Sequence, residues 1–477
     1  MRTASESELL TATNQILNRH PAVGFALGVV QGGTLQFFHG HGSANIEAGT
    51  PITEDTIFRV ASITKTFTAI AIMQLHEQGL VDLDAPANHY LHAFHLVPAD
   101  PHFRATTVRD LLTHTSGVPE QIHLPRSLAD PFGESVPLGT RLPTLGEYYN
   151  GALRLVCEPG TRFTYTDHNF TTLGQIVADV SGQSIQDYLR EHIFQPLGMV
   201  VTDLVRSQHV QERLATGYAL GRGGPGAITD REWITAAAAS TYSSPRDMAR
   251  YLAALLGGGA NEHGRILRPE TLAAMFEPQY RADPRVPGMG LAYSRYNLGG
   301  HLAIEHEGIL PGFNSDIVVA PNDGIGVMAF TNGSRQAMLW LPAETLKLLG
   351  QLIDAPEDVI RTDVPQRPDR WTDLCGRYPY PGPLTDLRTR SIVGAGIEVV
   401  VKHGRLILRG RSPVPAFLRG FELHPDDEND PDVFRVDLTE FDLGIPQVVF
   451  TRDATGRVSG VTVEVFPLVL PKRQAKK

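Results

Sequence analysis

The sequence predicts an α/β (α+β) protein in two parts: a large region that mixes helices with strands, then a small all-β region. Three observations predict it. Two strand-like runs, 24–30 (GFALGVV) and 33–42 (GTLQFFHGHG), are joined by a glycine-containing turn, the pattern of a β-hairpin. Apolar helices and further strand runs then continue to about residue 352. After a polar, proline-bearing stretch at 354–370, short β-type runs follow at 397–402, 404–410, 433–438, 446–452 and 458–465. Turn residues separate them, as in a small antiparallel barrel or sandwich. The expected division is a mixed helix-and-strand region over 1–353, a linker over 354–370 and a β domain over 371–477.

Each element has a local signal. Residues 8–19 (ELLTATNQILNR) carry the apolar spacing of an amphipathic helix. Residues 62–78 (SITKTFTAIAIMQLHEQ) read as a long apolar helix that begins at Ser62, a residue suited to an N-cap or first turn, and is stopped by Gly79. Residues 107–113 read as a short helix. From 115 to 146 the chain is rich in Pro, Gly and Ser, so a long surface loop is expected. Residues 170–181, 184–192 and 245–256 read as helices, the last ended by Gly257-Gly258-Gly259. Strands are expected again at 301–306, 315–320 and 325–331, and a last helix at about 338–352.

Composition excludes several classes. The 477 residues are 42% apolar and 20% charged, an ordinary globular composition. The net charge is 42 − 52 = −10, which argues against a nucleic-acid partner. The basic tail, Lys472, Arg473, Lys476 and Lys477, reads as a frayed, solvated end. No apolar stretch is long enough to span a membrane. The N-terminal MRTASESELL lacks the apolar core of an export signal. Cys157 and Cys375 lie far apart and read as two reduced thiols. Together these point to a cytoplasmic protein.

The chemistry is carried by three short motifs. The chain has six lysines, and Lys65 is the only one before Lys347. An arginine cannot lose its proton in a protein and a lysine can, so this residue is a candidate for chemistry needing a titratable amine. Ser62 and Lys65 stand three apart at a helix start, where side chains share a face. The helix N-terminus favours a serine alkoxide and a neutral lysine, and a neutral amine can activate the hydroxyl. Tyr165-Thr166-Asp167 lies where an extended run turns into a helix. A phenol close to a lysine cation can serve as general base or proton shuttle. His306-Glu307-Gly308 lies on a strand. Gly308 would let a substrate backbone lie close, and the amides of Ile309 and Ser62 would form an oxyanion hole.

Together the motifs resemble the serine β-lactamase and penicillin-recognising family, whose three elements are Ser-x-x-Lys, Tyr-x-Asn and Lys-Thr-Gly or His-x-Gly. Here they read Ser62-Ile-Thr-Lys65, Tyr165-Thr-Asp167 and His306-Glu-Gly308. FRVASITKTFTA (58–69), VRDLLTHTSGV (108–118), FTYTDHNF (163–170) and LPGFNSDIVVAPNDGIGVMAFTN (310–332) extend the similarity over about residues 10–350. Residues 370–477 resemble a lipocalin-like domain attached to some members. The resemblance implies an antiparallel sheet flanked by helices, a helical lobe, and a cleft with Ser62 at its base. It implies Ser62 as acylated nucleophile, Lys65 and Tyr165 as proton carriers, and His306 beside the substrate. Asp167 would contact the acyl side chain. Asp167 and Glu307 would make the cleft acidic, favouring amine-bearing or ester substrates over β-lactams. The expected partner is therefore a small ester or short peptide, with a homo-oligomer as the expected assembly. A β-lactamase or DD-peptidase, and a non-catalytic scaffold on the same fold, are the alternatives.

Other signals are weaker. Gly221–Gly226 matches GxGxxG but neither follows a strand nor opens a helix, so no nucleotide cofactor is expected. His89, His92 and His95 lack a carboxylate or thiol in register, so no metal is expected. His114, at a helix end, reads as a capping cation.

Overall fold

A computed structural model describes residues 5–122, 134–384, 386–411 and 415–473. Seven strands form one antiparallel sheet. β1 (Gly24–Gln31), β2 (Thr34–Asn45) and β3 (Thr50–Pro51) come from the N-terminal part. β4 (Ser294–Leu298), β5 (His301–Leu310), β6 (Phe313–Ala320) and β7 (Ile325–Thr331) come from beyond residue 290. The order is β4-β5-β6-β7-β1-β2-β3, so the two ends of the region meet where Phe25 of β1 pairs with Thr331 of β7.

Helices cover both faces. α1 (Glu6–Arg19) is started by a Ser5–Glu8 capping box, which satisfies two otherwise unpaired amides. Its Leu9 and Ile16 pack with Trp340 and Leu349 of the last helix of this region and with Val318 and Val327 of the sheet. Each such side chain contributes roughly 1.5–3 kcal/mol by leaving water. On the other face lies α2 (Thr64–Glu77), in which every residue from Thr64 to Met73 is buried. A helix apolar all round belongs in a core. α3 (Val108–Leu112), α4 (Asp167–Ser181) and α5 (Ala236–Ala239) complete the lobe around it. A Cβ on Gly174 of α4 would lie 2.3 Å from the Cβ of Ala237, so α4 and α5 approach closely because both residues are small. α6 (Pro245–Leu256) lays Leu252 against Gly326 of β7, and α7 (Ala337–Leu352) carries Trp340 and Leu349.

Several boundaries differ from the sequence reading. The helix expected from Ser62 opens with a 3-10 turn, Ala61–Ile63, before α2 begins. The helix expected from 170 starts at Asp167, because the Thr166 hydroxyl accepts from the amide of His168. Over 184–192, Ile185–Leu189 is α-helical, and Arg190–Phe194 is a π turn. β5 continues past His306 to Leu310. The stretch 115–146 is not all surface loop: Thr115, Ser116 and Val118 are buried, while 123–133 lie outside the described residues.

The chain divides into two compact units, Met1–Val118 with Pro125–Gln279 and Gly290–Pro356, and Pro119–Leu124 with Tyr280–Met289 and Glu357–Lys477. The second contains α8 (Pro368–Leu374), whose Trp371 and Leu374 are buried, so helix begins within the stretch read as linker. Eight strands follow in sequential order: β8 (Gly376–Pro379), β9 (Gly396–Lys402), β10 (Arg405–Gly410), β11 (Phe421–Pro425), β12 (Val433–Val436), β13 (Gln447–Arg452), β14 (Val458–Val463) and β15 (Phe466–Pro471). The sheet is a nearly closed barrel, with the amide of Arg473 donating to Arg377 O at 2.8 Å between its last and first strands. Tyr378, Leu423, Val448 and Phe450 are among the residues of its apolar interior. The basic tail is therefore not frayed at Lys472 and Arg473. Lys472 donates its amide to Ser459 O and its ammonium to Asp373 O. Lys476 and Lys477 lie outside the described residues. Cys157 and Cys375 form no disulfide, and no helix among the described residues is long and apolar enough to cross a membrane.

Candidate active site

The turn that carries Ser62 is set from both sides. Before it, Phe58–Arg59 pairs with Tyr242–Ser243. The buried Arg59 guanidinium donates to the Asp230 carboxylate, to Arg231 O at 2.9 Å and to the Tyr242 hydroxyl at 2.7 Å. Ala61 then takes φ = +50°, a conformation uncommon for a residue with a Cβ. After it, the Thr64 hydroxyl donates to Ala61 O at 2.6 Å and accepts from the Thr241 amide at 3.0 Å. Ser62 is left 7% exposed in a strained, fixed turn.

Lys65, one turn on, is wholly buried. Its ammonium donates to Ser62 Oγ at 2.9 Å, to Asp167 Oδ1 at 2.5 Å and to Ala238 O at 3.1 Å. The last is a C-terminal carbonyl of α5, unpaired within so short a helix. Burial works against the ammonium, but the charge of Asp167, followed by that of Tyr165, outweighs it, so Lys65 is held above the ordinary lysine value. The neutral amine expected from the helix N-terminus is thus not its resting form.

Tyr165 and Asp167 flank the start of α4. The Lys65 nitrogen lies 4.9 Å from the centre of the Tyr165 ring. Asp167 occupies the first turn of α4, where the helix dipole favours a carboxylate. It turns inward to Lys65, in an ion pair of 2.5 Å.

β5 presents two faces, because successive strand residues alternate. A Cβ on Gly308 would lie 2.2 Å from Val60 O and 3.1 Å from the Cβ of Ala61. The close approach that this glycine permits is therefore to the chain's own Ser62 turn rather than to a substrate backbone on that side. Its neighbour across the sheet, Ser315, donates to Val60 O at 2.9 Å and ties the same turn down. His306 shares this face. Its Nδ1 lies 2.6 Å from Glu307 O. A carbonyl only accepts, so Nδ1 carries a proton. Glu307 and the side chain of Ile309 belong to the opposite face. There Glu307 pairs across the sheet with Asp316, which accepts from Thr345 of α7. Ser62, Lys65, Tyr165 and Asp167 thus converge, His306 and Gly308 face them on β5, and Glu307 does not join them.

The beta-lactamase family model matches residues 11–351. The chain belongs to the beta-lactamase family. This is a family of serine hydrolases. Protein Rv1367c of Mycobacterium tuberculosis is 31% identical over 253 residues, 49% of this chain and 62% of that protein. Esterase EstB of Burkholderia gladioli is 32% identical over 220 residues, 46% of this chain and 55% of that protein. The chain thus spans less than two thirds of either relative's length. Among solved structures, the octameric penicillin-binding protein homologue from Pyrococcus abyssi aligns with a TM-score of 0.62 at 23% identity, covering 98% of this chain and all of that one.

Within this beta-lactamase-family site, three contributors escaped sequence reasoning. Ala238 acts through its carbonyl, which no side-chain motif reports. The run of four alanines at 236–239 was the available signal for a small helix wedged in the lobe. Arg59 supports the Ser62 turn from within FRVASITK. His114, read as a helix cap, lies buried against Tyr165.

Proposed function

We propose that this chain hydrolyses esters, and amides of acyl groups without a carboxylate, through a covalent acyl-Ser62 intermediate. The reading is carried by the Lys65 ammonium, fully buried and 2.9 Å from Ser62 Oγ. A protonated Lys65 has no lone pair to receive the serine proton. Tyr165, acting as the phenolate beside that cation, is the group assigned to take it. Ser62 Oγ then forms a bond to the acyl carbon, and the amides of Ser62 and Ile309 donate to the oxyanion. Tyr165 gives the proton to the leaving alcohol or amine as its bond to the acyl carbon breaks. Water reverses the sequence: it yields a proton to Tyr165, its oxygen attacks the acyl carbon, and Ser62 recovers the proton as the acid departs.

Two features support this substrate class. His306, with an Nδ1 proton given to Glu307 O, stands where the Lys-Thr-Gly element carries a lysine, so the site lacks that permanent ammonium for a substrate carboxylate. Asp167 is paired with Lys65, and Glu307 lies on the far face of β5, so neither is available to select a free amine. Both features favour simple acyl esters over β-lactams, carboxypeptidase substrates and amine-bearing peptides. The name of the esterase relative from Burkholderia gladioli agrees.

The test is hydrolysis of p-nitrophenyl butyrate by wild type and Ser62→Ala side by side, with a cephalosporin and D- and L-aminoacyl anilides as comparison substrates. Loss of kcat on the order of 10⁴-fold or more is expected in the variant. Equal turnover in both would put the nucleophile elsewhere. A cephalosporin or anilide cleaved faster than any ester would overturn the substrate class.

A further inference from the structure

His114 stands in an unusual position for a helix-capping residue. It is 2% exposed and takes φ = +57°, a backbone conformation seldom adopted without a structural demand. Its amide donates to Leu111 O at 3.3 Å at the end of α3, but its ring turns away from that helix toward Tyr165. The two ring centres lie 4.5 Å apart with planes inclined by 31°.

The backbone on both sides of Tyr165 ends on this one residue. The amide of Thr164 donates to His114 O at 2.8 Å. The amide of Thr166 donates to His114 Nδ1 at 3.4 Å. Asn169 Nδ2 lies 3.1 Å from the same nitrogen, and Asn169 Oδ1 accepts from the Ser116 hydroxyl at 2.6 Å. Since the Thr166 amide can only donate, Nδ1 is an acceptor and the ring is fixed in one tautomer and one orientation. Phe170, 5.2 Å away, packs against the same ring.

We infer that His114 is the positioning residue for Tyr165: it pins the amides before and after the tyrosine and bears on its ring, so that the phenol stays beside Lys65 and Ser62. The inference rests on the proposed role of Tyr165 as proton carrier. Misplacing a reacting group by about 1 Å can cost on the order of 100-fold in rate. A residue that holds the tyrosine should therefore affect kcat and leave KM nearly unchanged.

A double-mutant cycle tests this, with turnover of p-nitrophenyl butyrate expressed per active site titrated by a fluorophosphonate. Unfolded protein then does not enter kcat. His114→Asn is the chosen variant, since asparagine tolerates positive φ but brings no ring to Tyr165. In the wild-type background it should lower kcat about 10- to 100-fold with KM within about 3-fold. In the Tyr165→Phe background, where no phenol remains to position, the same change should alter kcat less than about 2-fold. An equal loss in both backgrounds, or an unchanged kcat in the first, would overturn the inference and leave His114 a structural residue. Tyr165→Phe turning over like wild type would instead remove the proton-carrier reading itself, and with it the inference. Should His114→Asn fail to fold, Asn169→Ser, which removes the donor from Nδ1, enters the same cycle with the same expectations.

Discussion

At the scale of single residues, the carboxylate at 167 decides what Lys65 is. Burial alone would drive the ammonium toward neutral amine; Asp167 and then Tyr165 reverse that and hold Lys65 above its ordinary value. A lysine raised on folding contributes stability that persists through neutral pH and is lost only as pH climbs through the raised value. Asp167→Asn keeps the burial and removes the main counter-charge. The folded value of Lys65 should then drop below the unfolded one, so that between the two the unfolded chain binds the extra proton and stability rises with pH. The variant should be less stable than wild type by about 3–5 kcal/mol at pH 7, the usual result of stripping a buried charge of its partner. That gap should narrow by pH 9.5. Urea unfolding at the two pH values measures it, and a gap independent of pH would show that Asp167 does not hold the charge. The Ser62–Lys65 contact itself is legible from sequence, because three residues on one turn share a face. The direction in which Asp167 turns is not, since its partner is on another helix 102 positions away.

At the scale of elements, β5 shows how alternation is legible while the identity of each face is not. The spacing of His306, Glu307 and Gly308 already separates Glu307 from its neighbours. Which face meets Ser62 depends on the 3-10 turn docking onto Gly308, and no local pattern encodes that contact. The far face holds a buried acid cluster. Glu305 of β5 and Asp316 of β6 lie there with Glu307, in contact with Ser294 of β4 and Thr345 of α7. Burial raises both carboxyls above the ordinary range, Asp316 to about 7, and the charges of Asp316 and Glu307 add to the rise of Glu305. Carboxyls raised on folding bind more protons in the native state than in the unfolded one. Stability should therefore fall as pH rises from about 4, where free carboxyls titrate, toward 7. Glu305→Gln keeps a donor toward Asp316 and removes one titrating group. It should flatten the pH dependence of Tm between pH 5 and 8 and raise stability at pH 8 by a few kcal/mol at most, because each tenfold change in proton affinity is worth about 1.4 kcal/mol. Calorimetry at both pH values checks it; an unchanged slope would mean that the cluster does not titrate in this range.

At the scale of the molecule, the change of composition after residue 353 is a local property of the chain and so could be read directly. The excursion at Tyr280–Met289 could not, because it belongs to the second unit only through contacts with strands far ahead in sequence. Val286 is buried with Val433 of β12 and Val449 of β13. Arg285 pairs with Asp283 at 2.8 Å and Asp430 at 2.9 Å, and donates to Phe450 O at 2.8 Å. Glu120 likewise accepts from the amide and hydroxyl of Thr389 at 3.1 and 3.2 Å. The second unit is thus assembled from three passes of the chain, and cutting the polypeptide after Pro356 would not separate two self-contained pieces. In a chain ending there, Val286 loses both its apolar partners, and Arg285 keeps only Asp283. The seven-strand sheet, whose strands all lie before residue 332, should still form. Segment 280–289 should become open to proteolysis, because backbone held by few contacts opens at little free-energy cost. Trypsin under native conditions should cut the shortened chain at Arg281 or Arg285 at least about 10-fold faster than the full chain, as read by mass spectrometry of the fragments. Equal resistance in the two proteins would mean that the barrel strands are not what keeps the segment in place.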